Sequence, residues 1–516
     1  MLRLNKENLA AIAAEGKVKV PQYDIDKVTT GIVHFGPGNF PRAHIAAYAQ
    51  ELLNQGHMDC GIVAVSLGAG SAGGAFNAIA RRDILASQDN LYAVLEKGSA
   101  GEEIEIIGSM RQTLIAAEDP QKVIAIMASP NTKMVTMTVT QKGYNFTNEC
   151  MVIDSETPLP REPKTIVEYV LVALAERKRL GLEPFGIMSL DNIEANSERL
   201  RRAVLASASG DLKKWISEKA HFYNTMVDRI VPGFDKKVVA EVQEKYGIED
   251  GFPLLTEPKK HMRLVIECIR NAPKPAIPLD KVGAQYVDNV VPYELAKLRM
   301  LNGLHMALGL VGRLKGFVYA DDALKDKNLR NFSVNYLKEA AGTLRPLTGM
   351  NYETYAEDVL DRLENPHLYD DLRRLARTGT EKIDSRFLSP LNDAYARDLP
   401  RDYMLVAVAA WIKYMAAANP DHTVKEDTPD GLYIWDDKAY GVDEQGNKPS
   451  DGMNLVSIAQ RLNGDVSPFL ALETIWGNLA DSRDFPEELA NVYEQMSHGV
   501  KCYDIPAYVN KPYTPS

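Results

Sequence analysis

A chain of 516 residues, 45% hydrophobic and 25% charged, has the make-up of an ordinary globular protein and enough material for a large core. A formal net charge of −11 argues against a nucleic acid or an anionic membrane as partner. Cys60, Cys150, Cys268 and Cys502 stand far apart with no CxxC pair, so neither a zinc site nor a disulfide framework is implied. The N-terminus lacks the apolar core of a signal peptide, and no run approaches the roughly 18 apolar residues that span a bilayer. The chain reads as cytoplasmic, with roughly two to four domains by length.

Residues 1–28 read as a short capped helix and a Pro-bearing connector. Thr30 to Phe35 is a short apolar strand, followed at once by Gly36-Pro37-Gly38-Asn39-Phe40-Pro41-Arg42-Ala43-His44 and a helical pattern from Pro41 to Leu53. Strand, glycine turn, helix is the context in which glycines let backbone approach a pyrophosphate and a helix start offers amide donors. The third glycine of the dinucleotide fingerprint is missing, so on the motif alone a plain tight turn is the better reading.

The strand Cys60 to Ser66 follows at the spacing of a second nucleotide-binding strand. Where an acidic residue would grip the ribose of NAD, the chain has Leu67-Gly-Ala-Gly-Ser71 and no carboxylate until Asp83. Arg81 and Arg82 suit either a 2′-phosphate or a solvated helix face, which leaves NAD against NADP open. Residues 91–97 and 103–108 alternate like an antiparallel pair. Lys133 to Thr140 is a buried strand running into Gln141-Lys142-Gly143-Tyr144, a turn suited to a ligand beyond a strand's carboxyl end and equally to solvent.

Thr165 to Lys178 is an amphipathic helix. Phe185 to Asn192 is a strand ending in polar residues, where Asn192 can donate to a substrate oxygen or cap the helix from Ser197. In Met226-Val-Asp228-Arg229 two charged residues sit in an apolar run, as an internal ion pair or as a substrate contact. After the linker-like Asn271 to Pro278, the pattern is nearly all helical: 293–315, 332–342, 352–364, 369–377, 387–396, 402–418, 454–462, 468–476 and 486–498. The predicted fold class is α/β, a Rossmann-like nucleotide-binding domain over 1–285 followed by a mostly α-helical domain over 286–516.

The helix from Pro292 to Leu310 carries the most unusual pattern. At 100° per residue, with Lys297 at zero, Asn302 falls at about 140°, His305 at about 80° and Glu294 at about 60°, while Arg299 points away at about 200°. A carboxylate, an ammonium, an amide and an imidazole therefore share one side of a greasy helix. Such a set is a buried structural network or a proton-transfer site, and the helix alone favours the former. Placed at the start of the second domain, its polar face is expected to look into a cleft, where ligand sites tend to lie.

In order along the chain, Gly36-Pro-Gly38-Asn-Phe40-Pro-Arg42-Ala-His44, Thr138-Val-Thr140-Gln-Lys142-Gly-Tyr144, Ser189-Leu-Asp191-Asn192, Met226-Val-Asp228-Arg229 and Lys297-x4-Asn302-x2-His305 resemble the motifs of the long-chain mannitol dehydrogenase family. These are polyol-specific dehydrogenases that include fructuronate reductases. The resemblance implies metal-independent hydride transfer between NAD, with NADP not excluded, and the carbinol carbon of a polyol. Lys297 would then be the general base in oxidation, Asn192 and Asn302 the oxyanion donors, His305 the anchor of a substrate hydroxyl and Glu294 the proton relay. Asp228, Arg374, Lys382 and Lys142 would line the substrate pocket. Phe35, Gly36, Gly38, Asn39, Phe40, Arg42, Ser66 and Thr140 would hold the cofactor.

The resemblance points first to D-mannitol and D-fructose, then to D-mannonate and fructuronate, then to arabinitol or sorbitol. A non-catalytic nucleotide binder is the reading from another class, and it would be free to lose the proton-transfer residues that this chain keeps. Four positions depart from the family pattern: Lys259 and Met262, where aromatics are common, Thr378 and Leu304. Lys142, the Lys-Leu-Arg-Met-Leu-Asn-Gly run and Gly283-Ala-Gln lean toward the hexuronate reductases. Oligomeric state is left open, a monomer being compatible with the sequence.

Overall fold

The computed structural model describes residues 1–68, 77–139, 162–269, 273–419, 426–428, 431–434 and 455–496. The chain divides into two compact units, Met1–Val291 and Pro292–Ser516.

The first unit is built on strands β1 (Thr30–Phe35), β2 (Gly61–Ser66), β3 (Tyr92–Gly98), β4 (Gly101–Ile107), β5 (Met110–Ile115), β6 (Met134–Met137), β7 (Gly186–Ser189), β8 (Phe222–Tyr223), β9 (Thr225–Asp228), β10 (Leu254–Thr256), β11 (Arg263–Glu267) and β12 (Gln285–Val287). Six of them form one sheet in the order β5-β2-β1-β6-β7-β8, with every pairing parallel. That is the doubly wound dinucleotide-binding order, and its direction reverses between β1 and β6.

The strands read as continuous apolar runs because both faces are covered. Side chains alternate between the faces. Ile32, Ile62, Ala64, Met134 and Met188 pack into one core with α2 (Ile45–Asn54), on the far side of α1 (Asn39–Ala43) in the chain. Val33, Phe35, Val63, Val65, Val135 and Ile187 pack into another with α3 (Pro120–Ala128), α4 (Ile166–Arg179) and α5 (Asn196–Ser207). Full burial of each such side chain is worth about 1.5–3 kcal/mol. α4 starts with a reciprocal cap, Thr165 Oγ1 accepting from the Glu168 N–H while the Glu168 carboxylate accepts from the Thr165 N–H.

The expected antiparallel pair is β3 and β4, with β10 added beside β3. Strands β9, β11 and β12 form a separate small sheet. Strand β5 lies where the sequence suggests none: Met-Arg-Gln-Thr-Leu-Ile has no clean alternation, and pairing with β2 makes it a strand.

The second unit is helical among its described residues. Its first helix runs through α6 (Val291–Ala296), a π-helical segment Lys297–Asn302 and α7 (Gly303–Leu314). It packs in one core with α8 (Lys327–Gly342), α9 (Leu372–Ala376), α10 (Gly379–Ile383), α11 (Ser389–Ala396), α12 (Asp402–Ala416) and α13 (Phe485–Gln495). The predicted helix 369–377 is shorter, ending before Thr378, whose left-handed backbone (φ 52) starts α10. Residues of α12 from Tyr403 to Met415 are buried all round, as expected of a central helix. No described helix is long and apolar enough to cross a membrane.

Candidate active site

In the first unit, the crevice beyond β1 and β6 is where a doubly wound sheet binds ligands. Gly36 turns the chain there with φ +85, and its N–H donates to the Val65 carbonyl at 2.9 Å. A Cβ on Gly36 would lie 2.1 Å from the Thr138 carbonyl oxygen, so only glycine lets the two strand ends approach. Gly38 then precedes the first turn of α1. The buried Thr138 hydroxyl has no hydrogen-bond partner among the described residues, which leaves a polar atom available at the same crevice. Open glycine backbone and an available hydroxyl fit a bound dinucleotide.

The proposed cofactor residues differ in what their side chains do. Phe35 is fully buried against Tyr169, so it offers the crevice only its backbone. Asn39 donates to the Pro232 carbonyl at 3.1 Å, Phe40 stacks on His44, and Ser66 donates to the Gly68 carbonyl. Arg42 is 1% exposed, donates to the Phe252 carbonyl at 2.7 Å and lies between the Tyr92 and Phe252 rings. Its Nε and Nη1 have no hydrogen-bond partner among the described residues. Thr140 and Lys142 lie outside the described residues. His34, in the middle of β1, is pushed down to about 3 by burial and stays neutral beside Thr136.

Asn192 follows β7 and is exposed. Its position is set by Asp191, which accepts from the Val139 N–H at 2.9 Å and whose carbonyl accepts from Asn196 at 3.0 Å. Asp191 thus ties the ends of β6 and β7 together. Asp228 is the buried last residue of β9, opposite Arg263 on β11. The departures at 259 and 262 belong to a structural corner: the Lys259 N–H donates to Glu96, its ammonium pairs with Glu105, and Met262 Sδ lies 3.6 Å from the Arg229 guanidinium.

In the second unit, the Lys-x4-Asn motif coincides with the π-helical segment. Closing hydrogen bonds over five residues stacks residue i+5 near residue i, where an α-helix would set them about 140° apart. Lys297 and Asn302 therefore share one side more closely than the helical wheel predicts. Glu294, Lys297 and Asn302 are buried and His305 is half-buried. Leu304 is fully buried in the core, so its departure from the family pattern is a packing change.

Gly309 lets this helix lie against α9, since a Cβ there would meet the Ala376 nitrogen at 2.8 Å and the Leu372 carbonyl at 3.0 Å. α9 carries Arg374, which is exposed and pairs with the buried Asp370. Lys382, on α10, donates to the Arg377 carbonyl at 2.6 Å. Thr138 and Asp191 stand within two of the sequence motifs, which by themselves assign them no role. Their signal was position at a strand's carboxyl end. No group of three or more His, Cys, Asp or Glu residues suited to a metal occurs among the described residues.

Residues 30–278 match the mannitol dehydrogenase Rossmann domain, and residues 289–497 match the mannitol dehydrogenase C-terminal domain. The chain belongs to the mannitol dehydrogenase family. It is 34% identical over 515 residues to a mannitol 2-dehydrogenase of Phaeosphaeria nodorum, covering 96% of this chain and 84% of that one. It is 32% identical to one of Emericella nidulans, covering 99% of each. Among solved structures it resembles a substrate-free D-sorbitol dehydrogenase (TM-score 0.81, 28% identity, 97% and 99% of the two chains). It also resembles a Pseudomonas fluorescens mannitol 2-dehydrogenase in ternary complex with NAD and D-mannitol (TM-score 0.72, 29% identity, 96% and 97%).

Proposed function

We propose that this chain is an NAD-dependent polyol dehydrogenase that interconverts D-mannitol and D-fructose. The observation that carries the reading is Lys297 and Asn302 stacked by a π-helical segment, with Glu294 and His305 on the same helix, in a chain whose relatives are mannitol 2-dehydrogenases.

Bound NAD would supply the hydride acceptor for the carbinol carbon. Gly36, Gly38 and the first residues of α1 would hold its pyrophosphate. The chain's own residues handle the proton and the charge. Lys297, as the free amine, takes the hydroxyl proton in oxidation and returns it in reduction. The amides of Asn192 and Asn302 donate to the oxygen as negative charge develops on it. His305 orients a substrate hydroxyl. Glu294, three residues before Lys297 and so on the same side of the helix, passes the proton onward. Asp228, Arg374, Lys382 and Lys142 are assigned to the substrate pocket, in two domains taken as 1–285 and 286–516. The free cysteines Cys60 and Cys268 fit a reducing, cytoplasmic setting.

The likeness to a D-sorbitol dehydrogenase favours D-sorbitol as the second reading. The test is the near-ultraviolet absorbance of reduced nicotinamide, followed with mannitol, sorbitol, arabinitol, fructose and fructuronate against NAD and NADP. The expected result is the highest kcat/KM for D-mannitol with NAD. A higher value for sorbitol or fructuronate would move the assignment to that substrate, and cofactor binding without turnover of any of them would overturn it.

A further inference from the structure

A cavity lies against the back of the Lys297 helix. Pro292, Leu295 and Arg299 repeat at three- and four-residue spacing and so share a face distinct from that of Lys297. Within the helical unit they line a cavity of about 390 Å³ with Leu344, Arg345, Tyr352, Asp393 and Arg397. That volume is in the range of small-molecule sites.

Its charge is unbalanced, with three arginines against one aspartate. Arg299 is 5% exposed and already held, its Nη1 lying 2.6 Å from Asp393 and 3.0 Å from the Thr343 hydroxyl. Its buried Nε has no partner among the described residues. Asp393 is thereby committed to Arg299. Among the described residues Arg397 reaches only backbone, donating to the Gly342 carbonyl at 2.9 Å and the Asp393 carbonyl at 3.4 Å. The Arg345 guanidinium forms no ion pair among the described residues, and the Arg345 carbonyl accepts from the Tyr352 hydroxyl at 2.7 Å. Two exposed guanidinium groups with no ion pair among the described residues therefore stand at a cavity whose remaining wall is Pro292, Leu295, Leu344 and Tyr352, with Thr343 and the Arg299–Asp393 pair beside them.

We propose that this cavity binds a small phosphate-bearing metabolite of sugar-phosphate size, its phosphate on Arg345 and Arg397 and its body against Leu295 and Tyr352. Guanidinium forks match the oxygens of a phosphate, and charge-assisted bonds of this kind are the strong ones. An aromatic and aliphatic wall suits the C–H face of a sugar ring. None of the residues assigned to hydride or proton transfer lines the cavity, so the site is separate from the reaction.

The test is calorimetry and thermal melting of the full chain with glucose 6-phosphate, inorganic phosphate and unphosphorylated glucose, beside an Arg345→Gln/Arg397→Gln double variant. The expected result is saturable binding of glucose 6-phosphate below about 1 mM, weaker binding of inorganic phosphate and none of glucose. In the double variant affinity falls roughly tenfold or more, as loss of charged hydrogen bonds requires, while the unliganded melting temperature and mannitol turnover are unchanged. Equal affinity in the double variant would overturn the site, as would no binding to the wild type. Equal affinity for glucose 6-phosphate and inorganic phosphate would overturn the role given to Leu295 and Tyr352.

Discussion

The guanidinium of Arg229 lies 2.6 Å from the carboxylate of Glu96, with the side chains 0% and 8% exposed. The same guanidinium donates to the carbonyls of Ala43 and Glu257. Glu96 in turn accepts from the Lys259 N–H at 2.9 Å. Of the two readings open for the charged pair at 228 and 229, Arg229 takes the internal one: it joins the residues after β9 to β3 and the end of α1. Asp228 keeps its proposed place in the substrate pocket.

That pair gives a stability prediction. Arg229→Met leaves Glu96 buried without its cation, and removing one partner of a buried pair costs about 3–5 kcal/mol. Urea denaturation of the purified variant measures the loss. A change below about 1 kcal/mol would mean that the pair is solvated in solution.

Gly36→Ala should break the nucleotide crevice. A methyl group there meets the Thr138 carbonyl and must hold a left-handed backbone, at a cost of about 1–3 kcal/mol for the backbone alone. NAD affinity, followed by calorimetry, is expected to fall sharply with a lowered melting temperature. Gly16→Ala is the control, since its φ of +70 carries similar backbone strain with nothing within 4 Å of the added carbon. It should melt lower yet bind NAD normally.

Lys297→Ala removes the proposed proton acceptor. Turnover should fall by about 10²- to 10⁴-fold, the usual worth of general acid–base catalysis. NAD affinity and the melting temperature should stay near wild type. Near-normal kcat in a folded, NAD-binding variant would take the chemistry away from this helix.

Stability should also respond to pH through Glu339 on α8. Its carboxylate accepts from the Tyr403 and Met404 N–H groups at 2.9 and 3.0 Å, capping α12 from another helix. Burial pushes this acid well above the ordinary glutamate value of 4.5. The folded state then holds the proton more tightly than the unfolded state, so this contribution is full below about 4.5 and declines as pH rises above it. Glu339→Gln keeps an acceptor oxygen without the titration. Comparing denaturation at about pH 5 and about pH 8, the wild type should lose more stability on going up than the variant does.

Local pattern was enough for much of this molecule. Apolar runs such as Gly31 to Phe35 and Met134 to Met137 identify strands covered on both faces, and the 3.6-residue period from Pro292 to Leu310 identifies the helix that carries Lys297. Both are properties of a few neighbouring residues, which is why they can be read without a fold. Strand β5, the tight packing of Gly309 on α9, the partner of Arg229 in a strand 133 residues away and the cap that Glu339 gives α12 were decided only by tertiary structure. Each depends on a group that chain order does not bring near. The Lys297 helix shows the division within one element. Sequence put a carboxylate, an amine, an amide and an imidazole along its side, and a π-helical segment inside a packed core set Lys297 and Asn302 together.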